Sequence, residues 1–266
     1  MFVVPIFKEH HRLFKKTKNN PMGEDSLRLK LEQIKTLLKN RLDFNWKIIF
    51  TDDGDVVFKS GRLLLAHLQE HYSKYLNDGK VEVRFLEDLN PEWVKKSQKG
   101  GAIIATIQNL ALQPDDIVIY TDADVSSDLR LAGTLIRKIE EKECDVAIFS
   151  RWLQGSTVVN RGFTAKLSSF IYNVIVFLFL GISLTDTQNG FKAFRFEAAK
   201  HIFEYCSDIR FSFDTEVLMI AKLFKYKVKE VPTYWQDSSE ESTVDLRRDA
   251  FEMIKAVYSQ RKKRNI

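Results

Sequence analysis

The chain has 266 residues, 44% of them hydrophobic, enough for a sizeable core in one α/β domain or two closely joined halves. Its 41 lysines and arginines outnumber its 36 acidic residues, and the resulting net charge of +5 suits an anionic substrate or an anionic membrane surface. The charges are too mixed for a histone-like protein. No aromatic-spaced basic motif, helix-turn-helix or zinc signature points to nucleic acid.

The first strand is expected over Phe2 to Phe7, and Met1 to Pro5 is far too short for a signal peptide. Lys8 to Met22 reads as a basic loop. Leu27, Leu31, Ile34 and Leu38 are spaced for a helix, with Ser26 or Asp25 as its cap. A second strand, Trp46 to Phe50, runs into Thr51-Asp52-Asp53-Gly54-Asp55. Leu63, Leu64, Leu65 and Leu68 mark a helix, Val81 to Phe85 a third strand, and Lys99 to Leu112 a helix opened by Gly100-Gly101. Ile117 to Tyr120 is the next strand, followed by a helix over Leu129 to Lys142 and a strand over Asp145 to Phe149. This alternation predicts an α/β fold with a mostly parallel central sheet covered by helices on both faces. Farther on, Phe163 to Leu184, Glu197 to Tyr205 and Thr215 to Phe224 are expected helices, and Val228 to Thr233 a late strand. Ser238 to Thr243 is an acidic loop. A last helix, Leu246 to Tyr258, leads to the basic tail Arg261-Lys262-Lys263-Arg264.

The most informative segment is Ile117 to Asp124, an apolar run ending in Asp122-Ala123-Asp124. Alternation along an extended chain puts both carboxylates on one side. They form a hard-oxygen pair suited to Mg2+ or Mn2+ arriving with a substrate's phosphates. Asp52 and Asp53 close another strand. In a parallel sheet both acidic clusters fall at the carboxyl edge, where open α/β sheets bind ligands. Lys99 and Gly101 open a helix whose amides and dipole are placed to meet an anion. Arg151 follows a strand and can fork onto paired oxygens. Two polar strings, Asp186 to Lys192 and Phe211 to Glu216, complete the constellation; Asp214 and Glu216 also fit a helix cap and a first-turn acid.

The order PIFKE, TDDGD, KGGA, TDADVSSD, SRW, DTQNGFKAFR, FSFDTEVL and VKEVPTYW resembles the family 2 glycosyltransferases, which have the GT-A fold. The likeness is greatest to the dolichyl- and polyprenyl-phosphate sugar transferase branch, particularly its dolichyl-phosphate glucosyltransferase-like members. It implies one GT-A catalytic domain over residues 1–235, with a nucleotide-binding half (1–125) and a sugar and acceptor half (126–235), then a C-terminal loop, helix and tail (236–266). It also implies that Pro5 and Glu9 border the base, that Asp52 and Asp53 bind base and ribose, and that Lys99 and Gly101 form the basic turn beside them. Asp122 and Asp124 match the metal carboxylates, Asp122 also facing the nucleotide sugar. Arg151 matches the basic residue near the diphosphate, and Gln188 lines the sugar pocket. The resemblance implies an inverting transfer from a UDP- or GDP-linked sugar, UDP-glucose first, to a polyprenyl phosphate or another acceptor. A phosphate acceptor needs no base; an alcohol would need one, for which Asp214 and Asp186 are the candidates. The chain departs from the family at Phe7-Lys8-Glu9, usually Tyr-Asn-Glu. It departs again at Ser239-Glu240-Glu241-Ser242-Thr243, where members carry Gly-Ser-Lys; Arg247 and Arg248 follow shortly after.

Two other readings compete. A sugar-1-phosphate nucleotidyltransferase shares the paired acids but needs a glycine-rich basic loop after the first strand, which Phe7 to His11 is not. A catalytically silent membrane-surface module would not require the intact acid clusters. Phe163 to Leu184 reads first as a core helix and second as an interfacial one flanked by Arg161, Lys166 and the basic tail. The ~18–20 continuous apolar residues of a membrane span are not found. Cys144 and Cys206 lack metal-site or disulfide spacing, so a cytoplasmic location is expected, with peripheral contact to the membrane face.

Overall fold

The computed structural model describes residues 1–6, 10–39, 44–54, 59–237 and 254–260. In chain order these form β1 (Phe2–Ile6), α1 (His10–Leu13), α2 (Ser26–Leu38), β2 (Ile48–Asp52), α3 (Ser60–His71), α4 (Ser73–Asn77), β3 (Val81–Phe85), α5 (Leu86–Leu89), α6 (Lys99–Gln108) and β4 (Ile117–Tyr120). They continue with α7 (Ala132–Glu140), β5 (Val146–Ser150), β6 (Thr157–Val159), α8 (Phe163–Leu180), β7 (Lys192–Arg195), α9 (Phe196–Tyr205), α10 (Phe213–Leu223), β8 (Val228–Pro232) and β9 (Tyr234–Gln236). Glu9, Asp55, the acidic loop from Ser238 to Thr243, Arg247, Arg248, most of the last expected helix and the basic tail lie outside the described residues.

A seven-stranded sheet runs in the order β3-β2-β1-β4-β7-β5-β8, and a separate two-stranded sheet pairs β6 with β9. All pairings in the large sheet are parallel except the two made by β7. The chain crosses from β1 outward to β2 and β3, then returns to place β4 on the other side of β1, so ligand chemistry belongs at the β1–β4 edge. Apolar alternation explains why the strands read as continuous hydrophobic runs. Phe2, Val4, Ile6 and Ile119 feed the core under α2, α3 and α7, while Val3, Val118 and Tyr120 feed the core under α6, α9 and α10.

Four details differ from the sequence expectation. Strand β2 continues through Asp52, because Asp52 still pairs with Ile6 on one side and Phe85 on the other. Asp25 adopts the left-handed conformation and does not cap α2; its carboxylate accepts from Arg28 Nε at 2.6 Å. The expected loop after β1 contains the helical turn α1. Strand β7, which begins at the last residue of the polar string, was not anticipated. It is antiparallel and short, and its lysine is inward-facing and fully buried.

Helix α8 overturns two expectations. It has 18 residues with mean hydropathy 1.7, long and apolar enough to cross a membrane by length and composition. It is not a core helix: only Tyr172, Val176 and Leu180 are buried, while Phe163, Leu167, Phe170, Ile171, Val174, Phe177 and Leu178 are exposed. Counting uninterrupted apolar residues hid this, because Thr164, Lys166, Ser168, Ser169 and Asn173 break the run without breaking the stripe.

Candidate active site

At the carboxyl edge of β4 the polypeptide leaves the sheet at Thr121, and Ala123 turns into the core while Asp122 and Asp124 stay partly exposed. Asp122 Oδ1 lies 2.6 Å from Lys99 Nζ. Lys99 also stands 3.6 Å from Asp214 Oδ2, and Asp214 is ion-paired through Oδ1 with Lys192. Tyr120 donates its hydroxyl to the same Asp214 oxygen at 2.7 Å. Two lysines therefore share one buried carboxylate, and β7 matters because it delivers the second lysine. Burial alone pushes the Asp214 carboxyl up, but the charges of Lys192 and Lys99 outweigh it and hold the group below the ordinary carboxylate range.

Asp186 is held by Arg151 in the same way. The guanidinium donates from Nε at 2.7 Å and from its terminal nitrogen at 2.8 Å, and the Arg151 backbone amide adds a third bond at 2.9 Å. Burial raises the Asp186 carboxyl; Arg151 more than reverses this, leaving it depressed. Both carboxylates are engaged by buried cations, Asp186 by Arg151 and Asp214 by Lys192 and Lys99. Arg151 also lies over the Trp235 ring at 5.2 Å. Arg161 lies over the same ring at 5.6 Å and over Trp152 at 5.8 Å. Burial, then the charge of Arg151, lowers the Arg161 guanidinium to about 10.

Other expected residues are placed differently. Asp52 is buried, accepting from Gly54 N–H at 2.8 Å and from the Gly61 amide at the start of α3, so it closes the Gly54 turn and caps a helix. Gly54 has φ 85°, which only glycine adopts freely. Asp53 is buried, and its amide donates to Ile6 O at 3.4 Å. Pro5 is buried in β1 opposite Thr51. Gly101 is a packing glycine, not an anion contact: its amide donates to Ile209 O at 3.0 Å, and an added Cβ would lie 2.1 Å from Ser97 Oγ. Gln188 donates to Thr215 Oγ1 at 2.7 Å, tying the polar string to α10. Glu216 faces away from the cluster and accepts from the Ser207 and Asp208 amides at 2.8 and 2.6 Å.

Tyr120, Trp235 and Glu230 were given no part in the site from sequence, while Lys192 entered only as the end of a polar string and Arg161 only as a flank of α8. Glu230, on β8, accepts from the Thr185 and Asp186 amides at 2.9 and 3.0 Å and so shapes the polar string. None of these positions carries a short-range pattern; an apolar-flanked lysine after the polar string was the one available signal. A 440 Å³ groove lined by Ile107, Leu110, Leu112 and Phe196 opens at the opposite, amino edge of β4 and takes no part in this chemistry.

The donor set at the β4 tip, two oxygen-bearing carboxylates, fits Mg2+ or Mn2+. Gly190 adds a cradle: a Cβ there would lie 2.1 Å from Asp122 Oδ2 and 2.7 Å from Lys99 Nζ, so the polar string is packed directly against the metal-type carboxylate. Among the described residues no group of three His, Cys, Asp or Glu side chains converges.

The sequence profile described as "Glycosyl transferase family 2" matches residues 30–203. The chain belongs to this family. Among curated relatives of this family 2 chain, glycosyltransferase AglD of Haloferax volcanii is 35% identical over 138 residues, covering 52% of this chain and 22% of the relative. A dolichyl-phosphate beta-glucosyltransferase of Dictyostelium discoideum is 24% identical over 241 residues, covering 88% of this chain and 65% of the relative. The chain thus spans under two thirds of the length of these relatives. Glucosyl-3-phosphoglycerate synthase from Mycobacterium tuberculosis, solved with phosphoglyceric acid, superposes with TM-score 0.64 at 13% identity over 98% of this chain and 79% of that one. The same enzyme with Mn2+, UDP-glucose and phosphoglyceric acid gives TM-score 0.61 at 14% identity, over 98% and 79% of the two chains. At this identity the likeness speaks to the fold, the GT-A arrangement anticipated from sequence.

Proposed function

We propose that this family 2 member is a glycosyltransferase that moves a sugar, glucose from UDP-glucose as first candidate, from a nucleotide diphosphate sugar to a polyprenyl phosphate, with Mg2+ or Mn2+ and inversion at the anomeric carbon. The observation that carries the reading is the charge cluster at the carboxyl edge of the sheet: Lys99, Lys192 and Arg151 gathered on Asp122, Asp214 and Asp186.

Residues 1–125 serve as the nucleotide half and 126–235 as the sugar and acceptor half. Asp122 and Asp124 would hold a divalent ion, which would supply neutralising charge to a departing diphosphate. Lys99, already against Asp122, adds a fixed positive charge where negative charge develops. Asp214, flanked by Lys99 and Lys192, keeps Lys99 charged and aimed at the strand tip. Asp186 orients the Arg151 fork.

The depressed carboxyls of Asp186 and Asp214 favour an acceptor that is already anionic, since neither is suited to deprotonate an alcohol. Arg151 and Arg161, stacked on Trp235 beside α8, offer a basic, aromatic-walled surface for the acceptor's phosphate. The exposed stripe of α8 suits peripheral contact with a bilayer that presents the lipid, on the cytoplasmic face.

The test is transfer from a panel of UDP- and GDP-sugars to a short polyprenyl phosphate, with Mn2+, with Mg2+ and with chelator. Metal-dependent formation of the lipid-linked sugar supports the reading. Pyrophosphate release from a nucleoside triphosphate plus sugar phosphate would replace it with nucleotidyl transfer.

A further inference from the structure

Residues 10–25, ahead of α2, make an excursion that ends against the β4 tip, where Glu24 meets the Val125 amide. Leu13 anchors the excursion in the core. Asp25 N–H donates to Phe14 O at 2.9 Å and Asn20 Nδ2 to His11 O at 2.8 Å, closing the loop on itself. This closed segment carries Arg12, only 3% exposed, to within 3.6 Å of Asp124 Oδ2. The same Arg12 nitrogen lies 3.2 Å from Glu24 Oε1, and Glu24 Oε2 accepts from the Val125 amide at 3.2 Å. The other Asp124 oxygen accepts from Ser126 N–H at 3.0 Å and from its hydroxyl at 2.6 Å.

We infer that Arg12 is a resident counter-cation of Asp124, that Glu24 sets how strongly its charge is felt, and that the pair tunes the affinity of the strand-tip carboxylates for a divalent cation. The inference rests on the metal reading above. Lys99 plays the matching part at Asp122, so each carboxylate of the pair faces a protein cation. Such a site already holds part of its counter-charge, shared with Glu24 and Asp214, and takes an added ion chiefly when a diphosphate brings further negative charge. A unit charge at this range in a partly exposed site moves a binding equilibrium by about an order of magnitude. Both residues act through Asp124 and are positioning residues.

The two have opposite signs, which separates tuning from mere support of the fold. Free Mn2+ is followed by electron paramagnetic resonance in titrations of the full chain with saturating UDP, for wild type, Arg12→Met, Arg12→Lys and Glu24→Gln, with a circular dichroism melt of each. Arg12→Met is expected to tighten Mn2+ binding about tenfold, Arg12→Lys to stay within threefold of wild type, and Glu24→Gln to weaken it several-fold. Parallel weakening in Arg12→Met and Glu24→Gln, or no change in either, overturns the inference while leaving the metal reading intact. Should Arg12→Met fail to fold, unchanged or tighter binding in Glu24→Gln overturns it. A wild-type chain that binds no Mn2+ with UDP overturns the metal reading, and the inference with it.

Discussion

Gly190 offers a probe of the site that changes no chemical group in it. It is not among the positive-φ glycines, so its backbone accepts alanine. Its added Cβ, however, would stand 2.1 Å from Asp122 Oδ2, 2.7 Å from Asp122 Cγ and 2.7 Å from Lys99 Nζ. Ordinary carbon–oxygen contact requires about 3.4 Å, so the carboxylate must retreat by roughly 1.3 Å, and Asp122 has too short a side chain to do so by flexing its tip. A misplacement near 1 Å costs about a hundredfold in rate, or roughly 2.7 kcal/mol of barrier. We therefore expect Gly190→Ala to lower kcat/KM about a hundredfold for the nucleotide sugar that gives wild-type turnover. Its thermal midpoint should stay within a few degrees, since Gly190 is half-exposed. Steady-state kinetics beside a melt decides it. A variant within threefold of wild type would refute the claim that Asp122 and Lys99 must sit where the structure has them.

Lys192→Met leaves the buried Asp214 carboxylate with Lys99 as its remaining lysine partner and should cost about 3–5 kcal/mol, read by urea unfolding; a loss below about 1 kcal/mol would contradict the ion-pair assignment. Because Asp186 is depressed in the folded chain, its contribution is present above the unfolded carboxylate value, ~3.9, and is lost as pH falls through the lower folded value. Asp186→Asn should therefore flatten the acid limb of stability against pH, and an unaltered limb would count against it. Leu178→Glu should leave the fold intact, because Leu178 is 68% exposed, yet lower sedimentation with anionic vesicles at least several-fold; undiminished sedimentation would remove α8 from the membrane contact. Burial pushes the Cys144 thiol up to about 11, so at pH 8 it should resist a thiol reagent until the chain is unfolded; prompt labelling of the native protein would show the core to be open there.

The strands were legible because β1, β2, β4 and β5 are buried on both faces and leave apolar runs, those of β2 and β4 ending at acidic tips. Alternation drew attention to Asp122 and Asp124; the structure ends β4 at Tyr120 and carries both residues in the bend just beyond it. What escaped depends on contacts between distant parts of the chain. Lys192 looks like a surface residue until Asp214, brought from α10, gives a fully buried ammonium its counter-charge. Asp52 looked like a ligand group, and its carboxylate accepts from the amide of Gly61, nine residues later in the first turn of α3. Gly100 and Gly101 looked like an anion loop, whereas the backbone at Asp208 to Arg210 occupies the space a side chain at Gly100 would need, and the Ser97 side chain does so at Gly101. Periodicity shows which face of an element is apolar; it does not say whether another element covers that face, and α8 was therefore misjudged as core.

The account turns on whether the β4 tip takes a divalent ion together with a donor diphosphate. A crystal grown with Mn2+ and UDP-glucose, measured at the manganese absorption edge, tests this most directly. The expected result is one anomalous peak at the Asp122-Ala123-Asp124 turn, beside Lys99 and the diphosphate. A diphosphate bound without a peak there, or a peak held by other residues, would contradict it.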